Sequence, residues 1–100
     1  MEIDSLGAMK LSVRGEYALR ALLVLGRDYL EDDSVVRIQA ISDQQHIPKR
    51  FLEQILNDLK SAGIVESKRG VAGGYRLHKP PDRITLAEII RHIEGPLAPV

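Results

Sequence analysis

Between Pro48 and Gly63 the chain reads as one amphipathic helix. Leu52, Ile55, Leu56 and Leu59 recur at i, i+3, i+4 and i+7. That is a helical period rather than the period of two that a half-buried strand shows. Both ends are punctuated. Pro48 suits the first helical position, where its missing N–H costs nothing. Gly63 suits the left-handed residue that stops a helix, and Ile64 beyond it can contact Leu59 as in a Schellman ending. The face opposite the leucines carries Arg50, Glu53, Gln54, Asn57 and Lys60, with Lys49 beside them in the first turn.

The next segment constrains the answer further. "IVESK" and "YRLHK" alternate as short strands, and "RGVAGG" joins them. Together they predict a hairpin with a glycine-rich tip. Lys68, Arg69 and Arg76 flank Gly70, Gly73 and Gly74. Glycine at such a tip permits positive φ and lets backbone pass close to a sugar–phosphate wall. Gly73 and Gly74 are expected to turn the hairpin rather than to touch a ligand. A phosphate cradle of the nucleotide-binding kind needs a glycine loop that opens a helix. Here the loop leads into a strand and soon meets Pro80–Pro81, with no Gly-Lys-Ser/Thr ending.

The remaining elements surround this pair. Ser12 is a good N-cap, and Ala18, Ala21, Leu22, Leu25 and Tyr29 follow at helical spacing, so a first helix should run to about Tyr29. "EDDS" reads as a loop. "VVRI" predicts a small strand, and a short helix from Gln39 to Gln45 would bury Ala40 and Ile41. After "KPPDR", the segment "ITLAEIIRHIEGP" predicts a last helix. Thr85 and Glu88 make its capping box, Ile84 and Ile89 its staple, and Gly95–Pro96 its stop. Two helices joined by a tight turn and followed by a basic hairpin describe a winged helix-turn-helix, mainly α with a small β wing.

Length allows one domain: 100 residues suffice for one compact unit and are too few for two. Residues 1–8 are expected to be a leader, residues 9–95 the winged helix-turn-helix, and residues 96–100 the start of a linker toward a dimerisation and sensor segment. No apolar run is long enough to cross a bilayer. The chain has no cysteine, which removes disulfides and any thiolate metal site made by these residues alone and fits a reducing, cytoplasmic setting. Net charge is zero, but residues 48–79 hold seven Lys/Arg against three Asp/Glu, while residues 1–47 hold five against eight. The positive charge sits in one block, as expected of one face for an anionic partner.

The exposed face of the second helix suits base reading in a major groove. Arg or Lys pairs with guanine, Gln or Asn with adenine, and Glu accepts from the cytosine amino group. Arginine at the wing suits a narrow minor groove, whose potential attracts guanidinium. Arg14, at the start of the first helix, is read either as a phosphate contact beside that helix's N-terminal amides or as a plain solvent-exposed cation. His46, His78 and His92 show no metal-pair spacing, and His92 lies i+4 from Glu88 as an ordinary helix-surface pair. No nucleophile–base arrangement is indicated, so an enzyme is not expected.

"MKLSVRGEYALRALLVL", "FLEQILNDLKSAGIVESKRGVAGGYRL" and "ITLAEIIRHIEGPLAPV" together cover residues 9–100. In these segments the chain resembles the IscR/NsrR/CymR-type winged-helix regulators of bacteria, the Rrf-two family. The resemblance implies a homodimeric transcriptional regulator, a repressor by expectation, bound to a partly palindromic duplex operator. It maps base reading onto Arg50, Phe51, Glu53 and Gln54, and the minor-groove contact onto Arg69 and Gly70. Pro48, Lys49, Asn57, Lys60, Lys68, Arg76 and Arg14 complete the expected DNA surface. Family members often carry Ser or Thr and then Tyr where this chain has Arg50 and Phe51, so its operator need not match a relative's. Many members continue with three cysteines that bind an iron–sulfur cluster and a long pairing helix. A cluster is therefore implied only for a longer form, and Glu16, at the position where some members supply a ligand, is read as a surface residue. The competing reading is a winged-helix module that binds an acidic protein. The salt dependence of duplex binding separates the two, because counterion release makes DNA binding fall steeply with salt.

Overall fold

The computed structural model describes residues 11–32 and 34–94. The expected leader, the start at Met9, the Gly95–Pro96 stop and the linker over 96–100 lie outside the described residues. Helix α1 spans Val13–Glu31, α2 Ile38–Gln45 and α3 Lys49–Ser61. Strands β1 (Val65–Lys68) and β2 (Gly74–Leu77) form the wing, a 3-10 turn follows at Pro81–Arg83, and α4 spans Leu86–Glu94. This is the winged helix-turn-helix architecture.

Local chemistry accounts for most boundaries. The Ser12 hydroxyl accepts from the Gly15 N–H at 3.0 Å and starts α1. α1 runs past Tyr29 to Glu31, with Asp32 as its C-cap. α3 ends as a Schellman motif. The Ile64 N–H donates to the Leu59 carbonyl and the Gly63 N–H to the Lys60 carbonyl, both at 3.0 Å, and Gly63 has φ +77°. At α4 the Glu88 N–H donates to Thr85 Oγ1 at 3.1 Å, while the Thr85 N–H donates to Glu88 Oε2 at 3.3 Å. That is the reciprocal capping box.

Three expectations are corrected. Pro48 is the N-cap of α3, not its first residue, because its ψ of 131° is extended. Its carbonyl nonetheless accepts from the Phe51 and Leu52 N–H groups at 3.1 Å. "VVRI" does not form a strand. Ile38 already belongs to α2, leaving Val36 as a single antiparallel bridge to Tyr75. Ala40 is only half-buried, whereas Ile41 is fully buried.

The core joins Ala18, Ala21 and Leu25 of α1 to Ile41 of α2 and to Leu52, Ile55, Leu56 and Leu59 of α3. Ile64, Val65, Leu77, Ile89 and Ile93 close it from the wing root and α4. Each such aliphatic side chain contributes about 1.5–3 kcal/mol on burial. The turn between α2 and α3 is anchored in this core by Ile47. His46 adopts φ +55°, and the Ser42 hydroxyl donates to the Ile47 carbonyl at 2.6 Å. α2 and α3 are therefore held at a defined angle, which leaves the second face of α3 pointing outward.

Candidate nucleic-acid interface

α3 buries its leucine stripe and exposes everything expected on its other face. Lys49, Arg50, Phe51, Glu53, Gln54, Asn57 and Lys60 are all exposed. Pro48 is exposed immediately before them. Phe51 is 44% exposed although it is a large apolar ring. The Arg50 guanidinium lies 5.1 Å from the centroid of that ring, within cation–π range. Arg50 and Phe51 thus lie against each other at the helix start.

Beside that pair lies a cleft of about 340 Å³ lined by Val13, Arg14, Tyr17, Phe51, Gln54 and Ile55. It brings the first turn of α1 against the first two turns of α3. Arg14 does not stand free at its mouth. Its guanidinium pairs with the Asp58 carboxylate on the third turn of α3. The expected phosphate contact of Arg14 is therefore occupied in this state.

The wing follows the expected hairpin closely. Val65, Glu66, Ser67 and Lys68 face Leu77, Arg76, Tyr75 and Gly74 in antiparallel register. Val65 and Leu77 fill the inner face. Arg76 lies directly opposite Glu66 and is paired with it, Nε to Oε1 at 2.9 Å. It braces the strands, a role that the basic flank did not reveal. Lys68, Arg69 and Gly70 are exposed at the tip, and Gly70 has φ +110°. Among the described residues, Lys49, Arg50, Glu53, Lys60, Lys68 and Arg69 have no ion-pair partner within 4 Å. On α3 and the wing, the cations without an ion-pair partner thus lie at the start and end of α3 and at the wing tip.

Gly74 has a role the sequence did not show. A Cβ there would sit 2.5 Å from the Val36 carbonyl oxygen, so only glycine lets residue 36 reach the wing. Arg37 is the other feature that pattern reading missed. Its guanidinium donates to the Val71 carbonyl at the wing tip. It lies outside the basic block, and no local pattern connects it to a residue 34 positions away.

Among the described residues two titrating groups are shifted, both away from this face. A hydrogen bond from the Lys79 ammonium at 2.7 Å holds the Glu88 carboxyl below its ordinary range, helped by the Thr85 cap. Burial is the main cause of the raised Asp28 pKa. Among the described residues no group of three or more His, Cys, Asp or Glu side chains could hold a metal ion.

Residues 11–100 match the Rrf2 family, described as iron-dependent transcriptional regulator. An Rrf2-like HTH-type transcriptional regulator of Rhodobacter capsulatus is 45% identical over 86 residues, covering 85% of this chain and 57% of the relative. The structure of CymR, the global cysteine regulator of Bacillus subtilis, superposes with a TM-score of 0.83 at 36% identity. That match covers 91% of this chain and 69% of CymR. IscR of T. potens gives a TM-score of 0.78 at 36% identity, over 93% of this chain and 68% of IscR. The chain spans 57–65% of the length of the first curated relatives it matches.

Proposed function

The chain belongs to the Rrf2 family of transcriptional regulators, and on that footing we propose that it binds duplex DNA sequence-specifically and regulates transcription, as a repressor. The observation that carries the reading is the α3 surface. Arg50, Glu53 and Gln54 stand exposed and without ion-pair partners beside an exposed Phe51, on a helix held outward by its buried leucines. Phe51 is a large apolar ring left 44% exposed among charged and polar side chains. A thymine methyl group is a natural apolar contact for it in the major groove.

The roles follow from donor and acceptor chemistry. Arg50 offers two parallel N–H groups to guanine O6 and N7. Gln54 presents the amide that matches adenine N6 and N7, and Asn57 can do the same one turn on. Glu53 is the discriminating residue, because a carboxylate near phosphates is repelled unless it accepts from a cytosine amino group. Pro48 makes no side-chain cap to the first N–H groups of α3, and Lys49 and Lys60 supply charge for the backbone at either end. At the wing, Arg69 enters the minor groove and Gly70 allows the close approach, with Lys68 on the adjacent phosphate. Arg14 and Arg76 contribute less than their charge suggests, since each already faces a carboxylate.

A single winged helix reads one half-site, so specific binding calls for two copies on a partly palindromic operator. An apolar groove of about 300 Å³ between α1 and α4, lined among others by Leu19, Leu22, Leu23, Ile84 and Leu86, supports pairing with a second copy. Operator binding places the protein in the cytoplasm. The family description names iron, but these 100 residues contain no cysteine and Glu16 is exposed on α1. They do not build a thiolate cage, and any iron–sulfur sensing belongs to a longer form.

The test is duplex binding measured across salt, followed by selection of bound sequences from a random pool. A steep negative slope of log K against log salt and an enriched motif support the reading. Salt-insensitive binding with no enriched motif would overturn it.

A further inference from the structure

The wing is a poor structure by itself. Its strands have four residues each, and a two-stranded ribbon is marginal in water without support. The tip, Arg69 to Ala72, is wholly exposed, with Val71 at 91%. Its internal closure is one hydrogen bond, Gly73 N–H to the Gly70 carbonyl at 2.9 Å. An arginine on such a tip would sample many orientations before reaching a groove.

Two contacts from outside the hairpin oppose that freedom, and both come from neighbouring residues. Val36 exchanges backbone hydrogen bonds with Tyr75 at 2.7 and 2.8 Å. This fit requires glycine at position 74. Next in sequence, Arg37 donates from Nη2 to the Val71 carbonyl. Arg37 is also the N-cap residue of α2, the helix that the turn at His46–Pro48 links rigidly to α3. One residue therefore joins the helix-turn-helix unit to the tip of the wing. A guanidinium has five donors in a fixed fork, so one carbonyl contact leaves the remaining N–H groups at the tip.

We propose that Arg37 is a positioning residue for DNA recognition: it pins the wing tip to the start of α2 and so presents Arg69 and Gly70 at a set distance from the reading face of α3. The gain is pre-organisation, since a tip already ordered loses less freedom when it enters a groove. The inference rests on the DNA-binding reading above but predicts a property of the free protein as well.

Backbone ¹⁵N relaxation at residues 69–72 and operator affinity should be measured for the unsubstituted protein and for Arg37→Ala, Arg69→Ala and the double variant. Arg37→Met, which keeps the apolar stem and loses the donors, serves as a second variant. In DNA-free protein, both Arg37 variants should raise mobility at the tip while leaving the thermal midpoint unchanged. Arg69→Ala should weaken binding about tenfold in the parent and only about twofold in the Arg37→Ala background, because residues acting through one another are non-additive. Equal Arg69→Ala penalties in both backgrounds, together with a salt slope lower by about one, would make Arg37 an independent phosphate contact and overturn the positioning role. Unchanged tip mobility would overturn it too. If the parent protein binds no duplex while Arg37→Ala still loosens the tip, the DNA reading fails and the anchor stands.

Discussion

Arg14 on α1 is ion-paired with Asp58 on α3, 44 positions along the chain, so a cation at the edge of the exposed face of α3 is held by a carboxylate of that same helix. Both side chains are well exposed, at 44% and 37%. Such pairs contribute at most about 1 kcal/mol to stability. The consequence lies in the charge offered to DNA.

Asp58→Asn frees Arg14 and removes a negative charge from α3. Duplex affinity should rise, with little dependence on base sequence, and the slope of log K against log salt should steepen by about one unit. Unfolding free energy should change by less than about 1 kcal/mol. Fluorescence anisotropy over a sodium chloride series reads the first, and urea melts read the second. An unchanged slope would show that Arg14 lies out of reach of the phosphates.

Glu53 and Lys60 sit on the same helix face but should behave differently. Glu53→Ala should relax preference at one base pair, a discrimination of about 1–3 kcal/mol, while raising affinity for unrelated duplexes. Lys60→Ala should weaken all duplexes about equally and lower the salt slope by about one unit. Competition binding with single-position operator variants distinguishes them. Uniform loss from Glu53→Ala would remove it from base reading.

Gly74→Ala drives a methyl group to within 2.5 Å of the Val36 carbonyl oxygen. Backbone must yield, so a destabilisation of about 1–3 kcal/mol is expected, a fall in midpoint of roughly 4–8 °C per kcal/mol for a domain of this size. Thermal melts followed by circular dichroism measure it. A melt matching the parent would mean that the Val36–Tyr75 bridge is dispensable.

Acid stability should reflect the Lys79–Glu88 pair. The folded Glu88 pKa lies below its ordinary value of 4.5. The folded state therefore holds this proton more weakly than the unfolded chain does. The stabilisation is present above the unfolded pKa and is lost as pH falls through the folded one. Lys79→Met should lower stability near neutral pH and converge on the parent below about pH 3. Asp28 works in the opposite sense, because burial raises its pKa, but it is common to both proteins and cancels in the difference. Urea melts from pH 7 down to about pH 2.5 would show the convergence. Parallel curves would mean that the pair is immaterial.

The elements were legible wherever their limits are set by near neighbours. The Ser12 cap, the Thr85–Glu88 box and the Gly63 ending each involve residues within five positions, and all three are formed. The 3.6-residue period of Leu52, Ile55, Leu56 and Leu59 assigned the buried face of α3, and its exposed face followed by subtraction. "VVRI" was misread because β-branched composition indicates a strand but not whether there is room for one. The helix beginning at Ile38 leaves a single bridging residue.

The amino-acid sequence by itself determined which segments become helix and hairpin, which face of α3 points outward and where positive charge collects. These depend on periodicity, capping and composition, which act over a few residues. Tertiary structure decided which of those charges are free. Pairing of Arg14 with Asp58, bracing of Glu66 by Arg76 and the reach of Arg37 to Val71 join residues 44, 10 and 34 positions apart. Their side chains meet only once the core has set the angle between helices and the register of the wing, and no local pattern encodes that geometry.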